Sequence, residues 1–209
     1  VKVIRGAGRL GHSLDVDPDI KIVAVLRNPI ETVNSALGHF SLLGDEFHRS
    51  DKHRFEAEAE AYFGEAPRDA RLARFDDEIA WSAAWWHFMT RASLQAAERH
   101  PDRVKIIAYE RLRGEPATVW ADLVDFLGWD EAPSVDDEAS RVVGVTTKAR
   151  YLTWDAVQYL TPFLSWYHAA LPESESAPAK TRLDLGALKG RLPKAFTRSP
   201  IMKYETRRT

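Results

Sequence analysis

The segment Lys21–Gly38, KIVAVLRNPIETVNSALG, constrains the fold more than any other part of the chain. Its first half is short, β-branched and apolar almost throughout, the pattern of a strand covered on both faces in a parallel sheet. Asn28-Pro29 then supplies an N-cap followed by proline at the first helical position. Ile30, Val33, Leu37 and Phe40 recur at helical spacing, which predicts a helix from Pro29 to about Leu43. A strand running straight into a helix puts Arg27 and Asn28 at the carboxyl edge of the sheet, where open α/β folds bind ligands. The helix start offers free N–H groups and partial positive charge, and Arg27 adds a guanidinium fork suited to phosphate oxygens. Ser35 follows eight residues later with one hydroxyl, on a polar face shared with Glu31 and His39. An arginine at this place also suits an ordinary surface ion pair, so the residues alone leave both readings open.

The remaining pattern extends the α/β reading. Val1–Arg5 and Val104–Ala108 are further strand candidates. Asp77–His100 is the longest helix candidate, with Ile79, Ala83, Trp86, Thr90 and Leu94 on one face. Tyr109–Arg113 opens the next turn, and Pro116–Leu127 reads as a helix closed by Gly128. An aromatic helix is expected within Leu152–Leu171. Asp45–Asp76 resembles a lid or insertion, with an exposed helix at His53–Phe63. Ser174–Pro178 is linker-like and the tail from Lys180 is basic. Strand-helix alternation implies a parallel sheet flanked by helices. The expected division is an α/β domain over residues 1–171, with a linker and basic tail over 172–209.

Composition narrows function by exclusion. The 209 residues are 44% hydrophobic, enough for one substantial core, and carry a formal net charge of −2. That charge argues against a nucleic-acid-binding domain. With no cysteine, disulfides, thiolate zinc sites and a cysteine nucleophile are excluded, and a reducing, cytoplasmic compartment is expected. No apolar run is long enough for a transmembrane helix. His48 and His53 beside Glu46 and Asp51 lack metal-ligand spacing, and no metal is expected. Gly6-Ala7-Gly8-Arg9-Leu10-Gly11 matches GxGxxG, but the space before the next strand is too short for a crossover helix, which favours a flexible turn. The tryptophans, including Trp81, Trp85 and Trp120, fall on helices and suit a core better than a carbohydrate platform.

Arg27-Asn28-Pro29 with Ser35, followed by Gly38-His39-Phe40, resembles the 3′-phosphate-binding motif of sulfotransferases that use 3′-phosphoadenosine 5′-phosphosulfate. Arg103–Gly128 (RVKIIAYERLRGEPATVWADLVDFLG) is similar to that family's later strand, tyrosine-acid pair and helix, and IAWSAAWWHF to its Trp-rich helix. The resemblance spans about Val1 to Gly128 and implies a P-loop-NTPase-like parallel sheet flanked by helices, incomplete at its N-terminus. It implies that Arg27 and Ser35 bind the 3′-phosphate of the donor and that Tyr109 reaches the adenine, although a tyrosine there equally suits a core position. Lys189-Gly190 resembles the basic-Gly element that returns to the 3′-phosphate, and also reads as part of a solvated tail. Arg5 falls near a lysine position and would stabilise the transferring sulfonate. His12 is the nearby histidine able to act as base, or simply a solvated one, and acidic bases such as Asp15 or Glu31 stay open.

The family's 5′-phosphosulfate loop is not found in these residues, nor is GxxxxGK[ST]. The sequence starts in a strand-like segment without methionine, so a chain cut from a longer one is expected. The implied reaction is sulfonyl transfer to an acceptor hydroxyl or amine of a small molecule or carbohydrate. Alternatives are a noncatalytic nucleotide- or partner-binding remnant of the fold and a P-loop nucleoside-type kinase. Unpaired sheet edges would favour self-association.

Overall fold

The computed structural model describes residues 9–40, 77–130 and 152–175. The expected strand Val1–Arg5, the segment up to Asp76 with its His53–Phe63 helix, and the basic tail with Lys189 and Gly190 lie outside the described residues. The chain divides into two compact units, one of Val1–Asn28, Met89–Thr146 and Trp166–Leu183, the other of Pro29–Phe88, Thr147–Ser165 and Asp184–Thr209. Secondary structure is mixed α/β and mostly helical, with a two-stranded parallel sheet among the described residues.

In the first unit, β1 (Ile22–Leu26) pairs with β2 (Val104–Ala108) in the register Ile22↔Val104 to Leu26↔Ala108. Parallel pairing brings the exits of both strands to one edge, so Arg27 and Tyr109 leave the sheet side by side. β2 is buried at four of its five positions. β1 is less covered than its apolar run implies. Leu26 is 7% exposed but Val25 is 53% exposed. The register partner of Val25, Ile107, on the same face of the sheet, is 1% exposed, so the exposure belongs to β1 and not to a whole face.

A helix, α1 (Leu10–Val16), takes up Leu10 and Gly11 at the end of the GxGxxG match, whose first three residues lie outside the described ones. Gly11 is helical here, and the reason is tertiary. Leu14 packs with Ala96 and Val104, and Leu10, Ile20, Ile22 and Ala97 extend that cluster. The Arg103 guanidinium donates to the carbonyls of Leu14 and Asp17 and, through Nε at 3.3 Å, to Ile20. These bonds supply donors for carbonyls at the C-terminal end of a helix too short to persist alone.

Two short helices follow β2: α4 (Tyr109–Gly114) and α5 (Pro116–Leu127), while α3 (Asp77–Arg99) precedes it. Pro116 sits in the first turn of α5, and Gly128 closes it at φ 72°. The Gly128 N–H donates to Asp125 at 3.1 Å and the Trp129 N–H to Val124 at 3.2 Å, the paired closure of a Schellman motif. Trp129 also rests its ring 6.2 Å from that of Trp120. Just before β1, Lys21 Nζ donates to the Phe126 carbonyl at 2.6 Å, and Lys21 and Lys105 both lie over the Phe126 ring.

The second unit is helical among its described residues. α2 (Pro29–Phe40) buries Ile30, Val33 and Leu37, while Ser35 is exposed. Each such apolar side chain contributes about 1.5–3 kcal/mol on burial. The first half of α3 buries Ile79, Ala83, Trp86 and Phe88, and α6 (Trp154–Ala170) buries Ala156, Val157, Leu160 and Leu164. Trp86 meets Phe163 edge-on at 6.4 Å. Trp81 and Trp85 are half-buried, their rings stacked at 5.9 Å and 5°.

No atom lies within 4 Å of a Cβ added at Gly128, so backbone conformation alone resists substitution there. Gly128→Ala is expected to lower stability by about 1 kcal/mol, read from the urea midpoint at unchanged slope.

Candidate functional site

The carboxyl edge of the sheet is organised by two consecutive residues from each strand exit. From β1 come Arg27 and Asn28, and from β2 come Tyr109 and Glu110. The Arg27 guanidinium carbon lies 4.7 Å from the centroid of the Tyr109 ring, over its face. Glu110, 2% exposed, accepts two hydrogen bonds on Oε1, one from the Asn28 backbone N–H at 2.8 Å and one from Asn28 Nδ2 at 2.7 Å. Its other oxygen accepts from the Tyr167 hydroxyl at 3.0 Å. Asn28 is 2% exposed and Tyr167 fully buried. A buried carboxylate needs such donors, because losing water without replacement costs several kcal/mol.

Beside it, Arg111 anchors α4. Its Nη2 donates to Asp122 at 2.6 Å and its Nη1 to Glu175 at 2.8 Å. Glu175 Oε2 also accepts the Ala108 N–H at 2.9 Å, at the last residue of β2. Burial opposes the charged guanidinium, but the Asp122 hydrogen bond and the Glu175 and Asp122 charges outweigh it, leaving its pKa raised above the ordinary arginine value. Glu175 belongs to the stretch that composition marks as linker-like, yet it is 2% exposed, in a 3-10 turn at Glu173–Glu175.

The expected site residues are thus distributed unequally. Arg27 and Tyr109 are brought into contact. One ring face of Tyr109 is taken by the guanidinium, so a planar base cannot stack on that face. Ser35 lies two turns into α2. His12 is exposed on α1, which docks on Val104 and Arg103 at the opposite ends of the strands. A five-residue strand spans about 15 Å, so the structure does not bring His12 to Arg27. Arg5, Lys189 and Gly190 lie outside the described residues.

Sequence reading passed over the roles of Glu110, Tyr167 and Glu175. Only Glu110 left a signal, as the acid of the tyrosine-acid pair. Among the described residues no group of three His, Cys, Asp or Glu is placed to hold a metal, and no helix is long and apolar enough to cross a membrane.

Arg27 and Asn28 thus stand at the carboxyl edge of a parallel strand pair, the edge at which open α/β folds bind their ligands. The chain belongs to the sulfotransferase-domain family, whose model matches residues 11–159. No curated protein and no solved structure matches it. The family match takes in Arg27, Ser35, Tyr109 and Glu110 and stops short of Tyr167 and Glu175.

Glu175→Ala strips an acceptor from both Arg111 and the Ala108 N–H, and is expected to cost about 3 kcal/mol. Glu115, 3.9 Å from Arg111 with a side chain 44% exposed, is the control, and its alanine variant should cost under about 0.5 kcal/mol. A raised arginine pKa gives stability that is complete below the unfolded value and lost only as pH climbs through the folded one. The Glu175→Ala deficit in urea melts is therefore expected to be equal at about pH 7 and about pH 10.

Proposed function

We propose that this domain transfers a sulfonyl group from 3′-phosphoadenosine 5′-phosphosulfate to a hydroxyl or amine of a small-molecule or carbohydrate acceptor. The acceptor oxygen or nitrogen attacks sulfur in line, the bond from sulfur to the 5′-phosphate oxygen breaks, and 3′,5′-adenosine bisphosphate leaves. The acceptor proton passes to a base. In this reading Arg27 and Ser35 bind the 3′-phosphate, and Tyr109 reaches the adenine. Arg5 offsets charge on the sulfonate, and Lys189 and Gly190 return to the 3′-phosphate. His12, at the far ends of the strands, is given no part in proton transfer.

The observation that carries the proposal is Arg27. It is a half-buried guanidinium at the strand exit, oriented by an aromatic face, within a chain that the sulfotransferase family model matches. A planar fork held this way suits phosphate oxygens better than a mobile lysine would.

Calorimetry with 3′,5′-adenosine bisphosphate against 5′-AMP tests it. Tighter binding of the bisphosphate is expected. Arg27→Ala should erase about 10- to 100-fold of that preference, and Ser35→Ala about 5-fold. Equal affinity for the two nucleotides in the folded wild-type chain would refute the 3′-phosphate site.

A further inference from the structure

Glu110 is a buried acid for which the reaction has no direct use. It lies among donors, and all three hydrogen bonds to it come from within the first unit. Two of them come from one residue, Asn28. The Asn28 N–H belongs to the peptide plane that begins at the Arg27 carbonyl. Holding that N–H fixes the plane and with it the backbone torsion from which the Arg27 side chain departs. The second bond, from Asn28 Nδ2 to the same oxygen, removes the remaining freedom of Asn28. Tyr167 holds the other carboxylate oxygen and so sets the rotation of the acid itself. One residue earlier on the same strand exit, Tyr109 presents its ring to the guanidinium. The two residues leaving β2 therefore grip the two residues leaving β1, one at the side chain and one at the backbone.

We infer that Glu110 is a positioning residue for anion binding, acting through Asn28 to aim Arg27, with Tyr167 holding its carboxylate. This rests on the 3′-phosphate reading for its ligand, while the geometry it asserts concerns Arg27 alone. Two readouts follow, one with nucleotide and one without. The first is the ratio of affinities for 3′,5′-adenosine bisphosphate and 5′-AMP. The second is the Arg27 Nε–H resonance, shifted by the Tyr109 ring current and assigned by its disappearance in Arg27→Lys.

Glu110→Ala removes the acceptor, and Glu110→Asp withdraws it by one methylene while keeping the charge. Each is expected to lower the nucleotide preference about tenfold and to move the Arg27 resonance toward its unshifted position. Glu110→Gln keeps an oxygen for both Asn28 donors and an N–H2 that the Tyr167 oxygen can accept, so both readouts should stay at the wild-type values. Asn28→Ala, which loses only the side-chain bond, should move both by a smaller amount in the same direction and serves if the Glu110 variants do not fold. Glu110→Ala and Glu110→Asp variants with cooperative melts, a wild-type preference and a wild-type resonance would overturn the inference and leave Glu110 a purely structural acid. If the wild-type chain shows no preference for the bisphosphate, the proposed function fails by itself. The resonance then decides the positioning role, loss of the ring-current shift upholding it and retention overturning it.

Discussion

The first unit depends on a buried acid whose two oxygens are matched to donors. A carboxylate at the depth of Glu110 survives only where donors replace its hydration, and here they come from the exit of β1 and from the end of α6. Sheet hydrogen bonds align the two strands, but they say nothing about how the chain leaves them. That geometry is set by side chains. α4, six residues long, could not hold itself helical in water, and the consecutive buried residues Glu110 and Arg111 tether it from two sides.

The two buried charges are satisfied separately. Glu110 draws on an amide side chain, a backbone N–H and a phenol. Arg111 draws on two carboxylates, one of which also receives a backbone N–H from β2. Neither network borrows from the other, so damage to one leaves the second's donors and acceptors matched. The Arg27 guanidinium rests on the face of the Tyr109 ring, a contact that orients the cation at the strand exit.

Much of the local architecture was legible in the sequence. The limits of β2, the proline start of α2 and the glycine closure of α5 follow from β-branching, capping and turn chemistry within a few residues of each boundary. Arg27 and Tyr109 were legible as strand-exit residues. Contacts made far along the chain were not. Helix α1 exists because Leu14 and Arg103 meet, and nothing in LGHSLDV announces Val104. Glu175 sits among serines that read as linker, and only Arg111 and the Ala108 N–H, more than sixty residues earlier, explain its burial. Tyr167 looked like one aromatic among many on an amphipathic helix. Its hydroxyl had a purpose only once Glu110 was placed.

The order in which these partners are made has a consequence for synthesis. Glu110 is followed 57 residues later by Tyr167, and Arg111 64 residues later by Glu175. On the ribosome, β1, β2 and α5, with Asn28 and Asp122 among them, all emerge before Tyr167 and Glu175, the last partners of Glu110 and Arg111. Until those two residues clear the tunnel, one oxygen of Glu110 and one arm of the Arg111 guanidinium must therefore stay hydrated. Closure of the unit is a late event rather than a gradual one, and loop-closure entropy over such separations slows it further. A ribosome paused before residue 175 would hold strands already formed beside a site not yet assembled.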